Sequence, residues 1–155
     1  MLVIFSSLIW KCKLSVANLI KFVQVEYKKI DIDDLAVLKK IVGDEFVFTD
    51  QEKLLEYSHD ETEDLSFPPE VVVKPSNTKQ ISRIIIYCNE KNITVTPCGA
   101  RTGLSGGSLP VLGGIALSLE RLNSIIKIDE HNLQAIVEPG VINQVFRDVV
   151  EEKGF

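Results

Sequence analysis

The chain has 155 residues, 45% hydrophobic and 25% charged, the profile of one globular domain rather than of a disordered or collagen-like segment. A formal net charge of -5 excludes a general nucleic-acid binder, because the phosphate backbone calls for a net basic surface; any anion site must be local. Cys12, Cys88 and Cys98 form no C-x-x-C pair and are odd in number, which supports neither a disulfide framework nor a zinc site and fits a reducing cytoplasm.

Residues 1–31 read as an N-terminal extension. Met1 to Trp10 are apolar, but Lys11 and Lys13 follow at once, far short of the ~18 uninterrupted apolar residues of a membrane span, so membrane association is not indicated. The run also lacks the basic n-region and small-residue cleavage site of a secretory signal. Residues 32–67 read as a helical lead-in. Asp34 to Val42 is the first expected helix, with Leu35, Leu38 and Ile41 on one face, Asp33 or Asp34 as N-cap and Gly43 just beyond its end. A second, opened by Asp50, is expected to carry Leu54 and Leu55 inward before Tyr57-Ser58-His59-Asp60 starts a polar loop. Residues 44–70 hold ten acids against Lys53 alone, a stretch expected to be a solvated face. Pro68-Pro69 marks the best internal boundary.

From residue 68 the pattern sharpens. Val71-Val72-Val73 is a continuous apolar run closed by Pro75, the mark of a buried strand. Asn77 then caps a helix while Gln80 reaches back, and Ile81, Ile84, Ile85 and Cys88 recur at i, i+3, i+4 and i+7. Ile93 to Thr96 is the next strand, making a strand, helix, strand unit whose right-handed crossover sets the two strands parallel. Ile115 to Leu119, Ile125 to Asp129 and Leu133 to Glu138 are further strands, with a turn at Asp129-Glu130-His131-Asn132. A final helix with Val141, Val145, Phe146 and Val149 inward ends at Gly154. The class is α+β: helices first, then an α/β unit. His59 and His131 fall in polar loops and carry no assigned role; Cys98 is either a packing residue or, beside Arg101, a reactive thiol.

The segment after the second strand of that unit carries the chemistry. Pro97, Cys98, Gly99, Ala100, Arg101, Thr102, Gly103, Leu104, Ser105, Gly106, Gly107 and Ser108 include four glycines, three hydroxyls and no acid. Glycine admits positive φ and lets the backbone approach a ligand, so successive N–H groups can form an anion nest, with the Thr102, Ser105 and Ser108 hydroxyls as further donors and Arg101 as a charge. No Lys follows the glycines and no G-x-G-x-x-G opens a helix, which argues against P-loop and Rossmann sites. On spacing alone, a phosphate-type ligand and a structural glycine-rich turn stand level.

The run Pro97 to Pro110, PCGARTGLSGGSLP, resembles the pyrophosphate loop of the PCMH-type flavoenzyme superfamily that includes vanillyl-alcohol oxidase, and especially of its D-lactate dehydrogenase and glycolate oxidase branch. The resemblance extends to Tyr57-Ser58-His59-Asp60, similar to that branch's Y-S-x-D; to Pro68 to Ile81; to Gly114 to Asn123, similar to G-x-x-L-S-L-x-x-L-N; and to Val137-Glu138-Pro139-Gly140-Val141, similar to V-x-P-G-V. It runs from about Ile32 to Phe155.

The resemblance implies FAD as cofactor, with Gly99 to Gly107 around its pyrophosphate, Thr102 and Ser105 as side-chain donors, and Pro139, Gly140 and Val141 near the isoalloxazine or ribityl chain. Two departures stand out. Many relatives have Gly where this chain has Arg101, and the His that anchors flavin covalently in some relatives is missing from residues 97–108, which implies noncovalent FAD. The family's second subdomain and cap domain are not in these 155 residues, so residues 68–155 read as the N-terminal part of the flavin domain. No catalytic residue or metal ligand is assigned. The activity implied is oxidation of a 2-hydroxy acid such as D-lactate or glycolate, with the rest of the flavin domain supplied by further sequence or by a separate chain. An enolpyruvyl nucleotide-sugar reductase-like flavoprotein and a noncatalytic remnant of the same subdomain are the alternatives.

Overall fold

A computed structural model describes residues 26–62 and 64–155; most of the expected N-terminal extension, with Trp10 and Cys12, lies outside the described residues. Helix α1 (Ile32–Val42) leads into a 3-10 turn at Asp44–Phe46 and a short strand β1 (Val47–Phe48). Then come α2 (Gln51–Glu56), β2 (Val71–Val73), α3 (Thr78–Lys91), β3 (Val95–Cys98), β4 (Ile115–Ser118), β5 (Ile125–Asp129), β6 (Gln134–Val137) and α4 (Asn143–Glu151).

The helix starts follow from their caps. Asp31, earlier than expected, caps α1: its carboxylate accepts from the Asp33 and Asp34 amides, and the Asp34 carboxylate accepts from the Asp31 amide. Such a reciprocal pair satisfies orphan N–H groups at both positions, which is why the helix begins at Ile32 and not Asp34. Asp50 caps α2 and Asn77 caps α3 as expected. Gln80 reaches back as expected, accepting from the Ser76 amide. Asn92, left-handed at φ 56°, closes α3.

The main sheet has the order β1-β2-β4-β3. β2 and β3 are parallel, as the crossover requires, but they do not touch: β4 lies between them and is parallel to both. β1 runs antiparallel on the outer side of β2.

Alternation along the strands builds two cores. Val71, Val73, Ile115 and Leu117 face α1 and α3, meeting Leu38, Ile41, Val42, Ile84 and Cys88. Val72, Ala116 and Cys98 face the other way, onto Tyr57, with Phe48 and Leu54 packed against them. Each fully buried Leu, Ile or Val here contributes roughly 1.5–3 kcal/mol. Both faces of the central strands are therefore covered, as their unbroken apolar runs demand.

Three expected inward residues point outward. Leu55, Ile85 and Val145 are exposed: α2 and α4 contain no buried residue, and α3 buries only Ile84 and Cys88. From Asn123 onward no residue is buried. β5 and β6 form a separate two-stranded antiparallel sheet, and every residue of β6 is exposed.

Candidate functional site

β3 ends at Cys98 and delivers the Gly-rich loop to the C-terminal edge of the parallel strands. Gly99, Ala100 and Arg101 form one wall of a cleft of about 320 Å³; Pro139, Gly140, Val141, Ile142 and Val145 form the other, with Glu120 and Asn123 between them. Two stretches some forty residues apart, marked in the sequence separately, thus meet across one cleft. The wall from Gly99 to Arg101 presents backbone, and the facing wall is largely apolar. Such a cleft suits a ligand with an anionic centre and an aromatic or aliphatic arm.

Gly140 is there because nothing larger fits. A Cβ at that position would lie 2.5 Å from the Leu119 carbonyl oxygen and 2.8 Å from that of Leu122, and the Gly140 amide donates to the latter at 2.7 Å. By contrast, a Cβ on Gly107 would meet no protein atom within 4 Å, so the fold alone does not call for glycine there. That open space is what a ligand-approach position requires.

Arg101 departs from its expected use. Its backbone is left-handed at φ 57°, which accounts for glycine serving well at this turn. Its guanidinium stacks 4.0 Å from the centre of the Tyr57 ring and donates to Glu56 Oε1 at 3.2 Å. It ties the loop to the end of α2 rather than standing free as a phosphate ligand.

The remaining loop residues split in two. Thr102, Gly103, Leu104, Ser105 and Gly107 are exposed, as is Pro97 within β3, whereas Gly106 and Ser108 are half-buried. The Gly106 amide donates to Thr62 Oγ1 at 2.8 Å, and the Ser108 hydroxyl donates to Asp60 Oδ2 at 3.2 Å.

No acid lies within the loop, but the fold brings three to its flanks: Glu56, Asp60 and Glu120. Each is already engaged. Burial alone would raise the Glu120 carboxyl, but the Lys74 ammonium at 2.5 Å and the Tyr57 hydroxyl at 2.9 Å outweigh it and hold it below the usual carboxylate range. Lys53, hydrogen-bonded to Glu56, holds that carboxyl low as well. Lys74 itself is buried and lies 5.2 Å from the Phe48 ring centre and 5.5 Å from that of Tyr57.

Tyr57, Ser58 and Asp60, expected in a solvated polar loop, are buried. Tyr57 lies 2.9 Å from Ser118 Oγ and beneath Arg101, so this segment is a buried support of the cleft. Its only sequence signal was the Y-S-x-D likeness, which carried no role. Cys98 resolves as a packing residue: it is fully buried, and burial pushes its thiol up to about 11 against the opposing pull of Arg101. His59 and His131 are exposed. Among the described residues no cluster of His, Cys, Asp and Glu is placed to hold a metal ion, and no helix is long and apolar enough to cross a membrane.

Comparison with known proteins places the chain in a family. The glycolate oxidase subunit GlcD of Bacillus subtilis is 43% identical over 100 residues, covering 64% of this chain and 21% of that protein. A D-lactate dehydrogenase of Anaerostipes hadrus is 30% identical over 132 residues, covering 84% of this chain and 28% of the relative. Among solved structures, p-cresol methylhydroxylase with substrate bound superposes with a TM-score of 0.69 at 27% identity, over 77% of this chain and 24% of that one. The chain thus spans between about a fifth and three tenths of the length of these proteins. A family model described as an FAD binding domain matches residues 69–155, and the chain belongs to that family.

Proposed function

We propose that this chain is the front part of the flavin-binding domain of an FAD-dependent oxidoreductase that oxidises a 2-hydroxy acid such as D-lactate or glycolate. The observation that carries the reading is the meeting of Gly99 to Arg101 with Pro139 to Val141 across one cleft, in a chain that matches an FAD binding domain. Residues 68–155 are the flavin-binding portion, and residues 32–67 lead into it. The backbone amides from Gly99 to Gly107 surround the pyrophosphate, apart from that of Gly106, which is engaged by Thr62. Leu104, Thr102 and Ser105 are exposed on the same loop, with the two hydroxyls offered as donors. Pro139, Gly140 and Val141 line the side toward the isoalloxazine or ribityl chain. Bound FAD supplies the hydride acceptor that the oxidation needs; these residues bind and orient it.

FAD is held without a covalent bond, since residues 97–108 contain no His. The names of the relatives support the substrate class: one is a glycolate oxidase subunit and another a D-lactate dehydrogenase. The partner is the remainder of the flavin domain, whether continuous with this chain or on a separate one. Its seat is the exposed apolar surface of β5, β6 and α4. Two buried free thiols, Cys88 and Cys98, favour a reducing compartment such as the cytoplasm.

Titrating the chain with FAD while following flavin fluorescence tests the reading. Saturable quenching is expected, and acid precipitation should leave all flavin in the supernatant. Binding by the chain alone should be weak, and should tighten once the remainder of the flavin domain is supplied; an absence of binding with that remainder present overturns the reading, and flavin retained in the pellet overturns its noncovalent part.

A further inference from the structure

The segment from Glu56 to Thr62 follows the Gly-rich loop almost from end to end. Tyr57 and Glu56 hold Arg101. The Glu61 amide donates to the Gly103 carbonyl at 3.1 Å, Thr62 Oγ1 accepts from the Gly106 amide at 2.8 Å, and Asp60 accepts from Ser108. The segment also braces itself: the Thr62 amide donates to Asp60 Oδ1 at 2.9 Å. Loop backbone and side chain are thus anchored at four separated points.

The chemistry of the anchors decides what they are for. Asp60 is 7% exposed, and a carboxylate that buried is costly unless donors surround it. Here the hydroxyl and amide of Thr62, followed by Ser108, hold its carboxyl below the usual range. An anion in that position repels a phosphate, so it serves no ligand contact. It does suit a fixed acceptor for loop donors. The Gly106 amide and Ser108 hydroxyl are likewise directed at Thr62 and Asp60.

We infer that Asp60 and Thr62 are positioning residues: they hold the Gly103–Ser108 part of the loop in one conformation before any cofactor arrives. A glycine-rich loop left free would lose backbone entropy on binding at roughly 1–2 kcal/mol per residue; a loop already ordered by folding avoids that loss. The inference rests on the FAD reading for its purpose, but not for the ordering itself.

The test is amide hydrogen exchange on the chain without FAD, paired with FAD titration of the same proteins. Thr62→Val keeps the side-chain shape and removes the acceptor for the Gly106 amide; Asp60→Ala removes the acceptor for Ser108. Each should raise exchange at the Gly106 amide, the loop amide held by Thr62, about tenfold while amides of α3 and β4 keep their protection. Each should also weaken FAD binding about tenfold. Thr62→Ser, which restores the acceptor, should return both to wild-type values. Unchanged loop exchange in Thr62→Val and Asp60→Ala overturns the inference. So does faster exchange with unaltered FAD affinity, because the ordering would then have no bearing on binding. If the wild-type chain binds no FAD even with the remainder of the flavin domain supplied, the functional reading fails, while the exchange arm still decides whether this segment orders the loop.

Discussion

The Arg101 guanidinium lies 4.0 Å from the centre of the Tyr57 ring, on a residue whose own backbone is left-handed at φ 57°. Side-chain attraction and backbone strain oppose each other at this one position. The stack is worth about 1 kcal/mol, and the partly exposed pair with Glu56 adds up to about 1 kcal/mol; a left-handed non-glycine residue costs roughly 1–2 kcal/mol.

Substituting Arg101 in two ways separates these effects. Arg101→Ala keeps the strain and loses the contacts, so urea unfolding should show a loss of about 1–2 kcal/mol. Arg101→Gly loses the same contacts but relieves the strain, and should be more stable than Arg101→Ala by about 1 kcal/mol. Equal stability of the two would mean that the left-handed turn at Arg101 is not populated in solution.

The glycines of the cleft should divide into two kinds under substitution. Gly140→Ala places a methyl 2.5 Å from the Leu119 carbonyl oxygen and should destabilise the fold by on the order of 3 kcal/mol. Gly107→Ala meets no protein atom within 4 Å, so its thermal stability should stay within about 0.5 kcal/mol of wild type. If a ligand occupies that space, FAD affinity should nonetheless fall by more than about tenfold. A Gly107→Ala chain that binds FAD as well as wild type would remove this glycine from the binding loop.

The reach of the sequence differs between these features. Val71 to Val73 and Ile115 to Ser118 were legible as strands, because unbroken apolar runs need burial on both faces. That β4 enters between β2 and β3 was not, because side-chain period reports which faces are buried and not which strands are neighbours. The loop could be located from its glycines and hydroxyls. Its support could not: Asp60 and Ser108 are 48 positions apart, Tyr57 and Ser118 are 61, and a polar residue satisfied by so distant a partner reads locally as a surface residue. Leu55 and Val145 show the converse: apolar periodicity marks a helix face that can be buried, but α2 and α4 contain no buried residue.

Acid should weaken the fold through its carboxylates. Asp34 is buried, with Lys28 Nζ 2.6 Å and the Tyr87 hydroxyl 2.7 Å from its oxygens. Burial would raise its carboxyl, yet these partners hold it low; Asp31, bonded to the same lysine, is lowered to about 2. A carboxyl depressed in the folded state binds fewer protons there than in the unfolded chain at about pH 3, so its stabilisation is complete above about pH 5 and lost as pH falls toward about 2. Urea midpoints measured from about pH 6 to about pH 2 should decline over that window, and Asp34→Asn should flatten the decline. An undiminished slope in Asp34→Asn would show that the Lys28–Asp34–Tyr87 cluster does not drive acid sensitivity.

The surface built by β5, β6 and α4 should govern how the chain behaves alone. A two-stranded sheet is marginal in water unless something packs on it, and here Ile126, Leu133, Ile136, Ile142, Val145 and Phe155 are all exposed on or beside it. The hairpin's outer edges also offer backbone N–H and C=O groups for further strand pairing among the described residues. Apolar side chains and open edges on one surface favour association between copies whenever no other partner covers them. Sedimentation velocity should therefore show mass rising with concentration, and Ile136→Lys should reduce it, because a charge on that surface opposes its burial. Amides of β5 and β6 should exchange far faster than those of β2 and β4 under conditions where the chain is monomeric. A monomer at all concentrations, with β5 and β6 as protected as the main sheet, would show that the β5–β6–α4 segment is stable without a covering partner and that no seat for one is needed there.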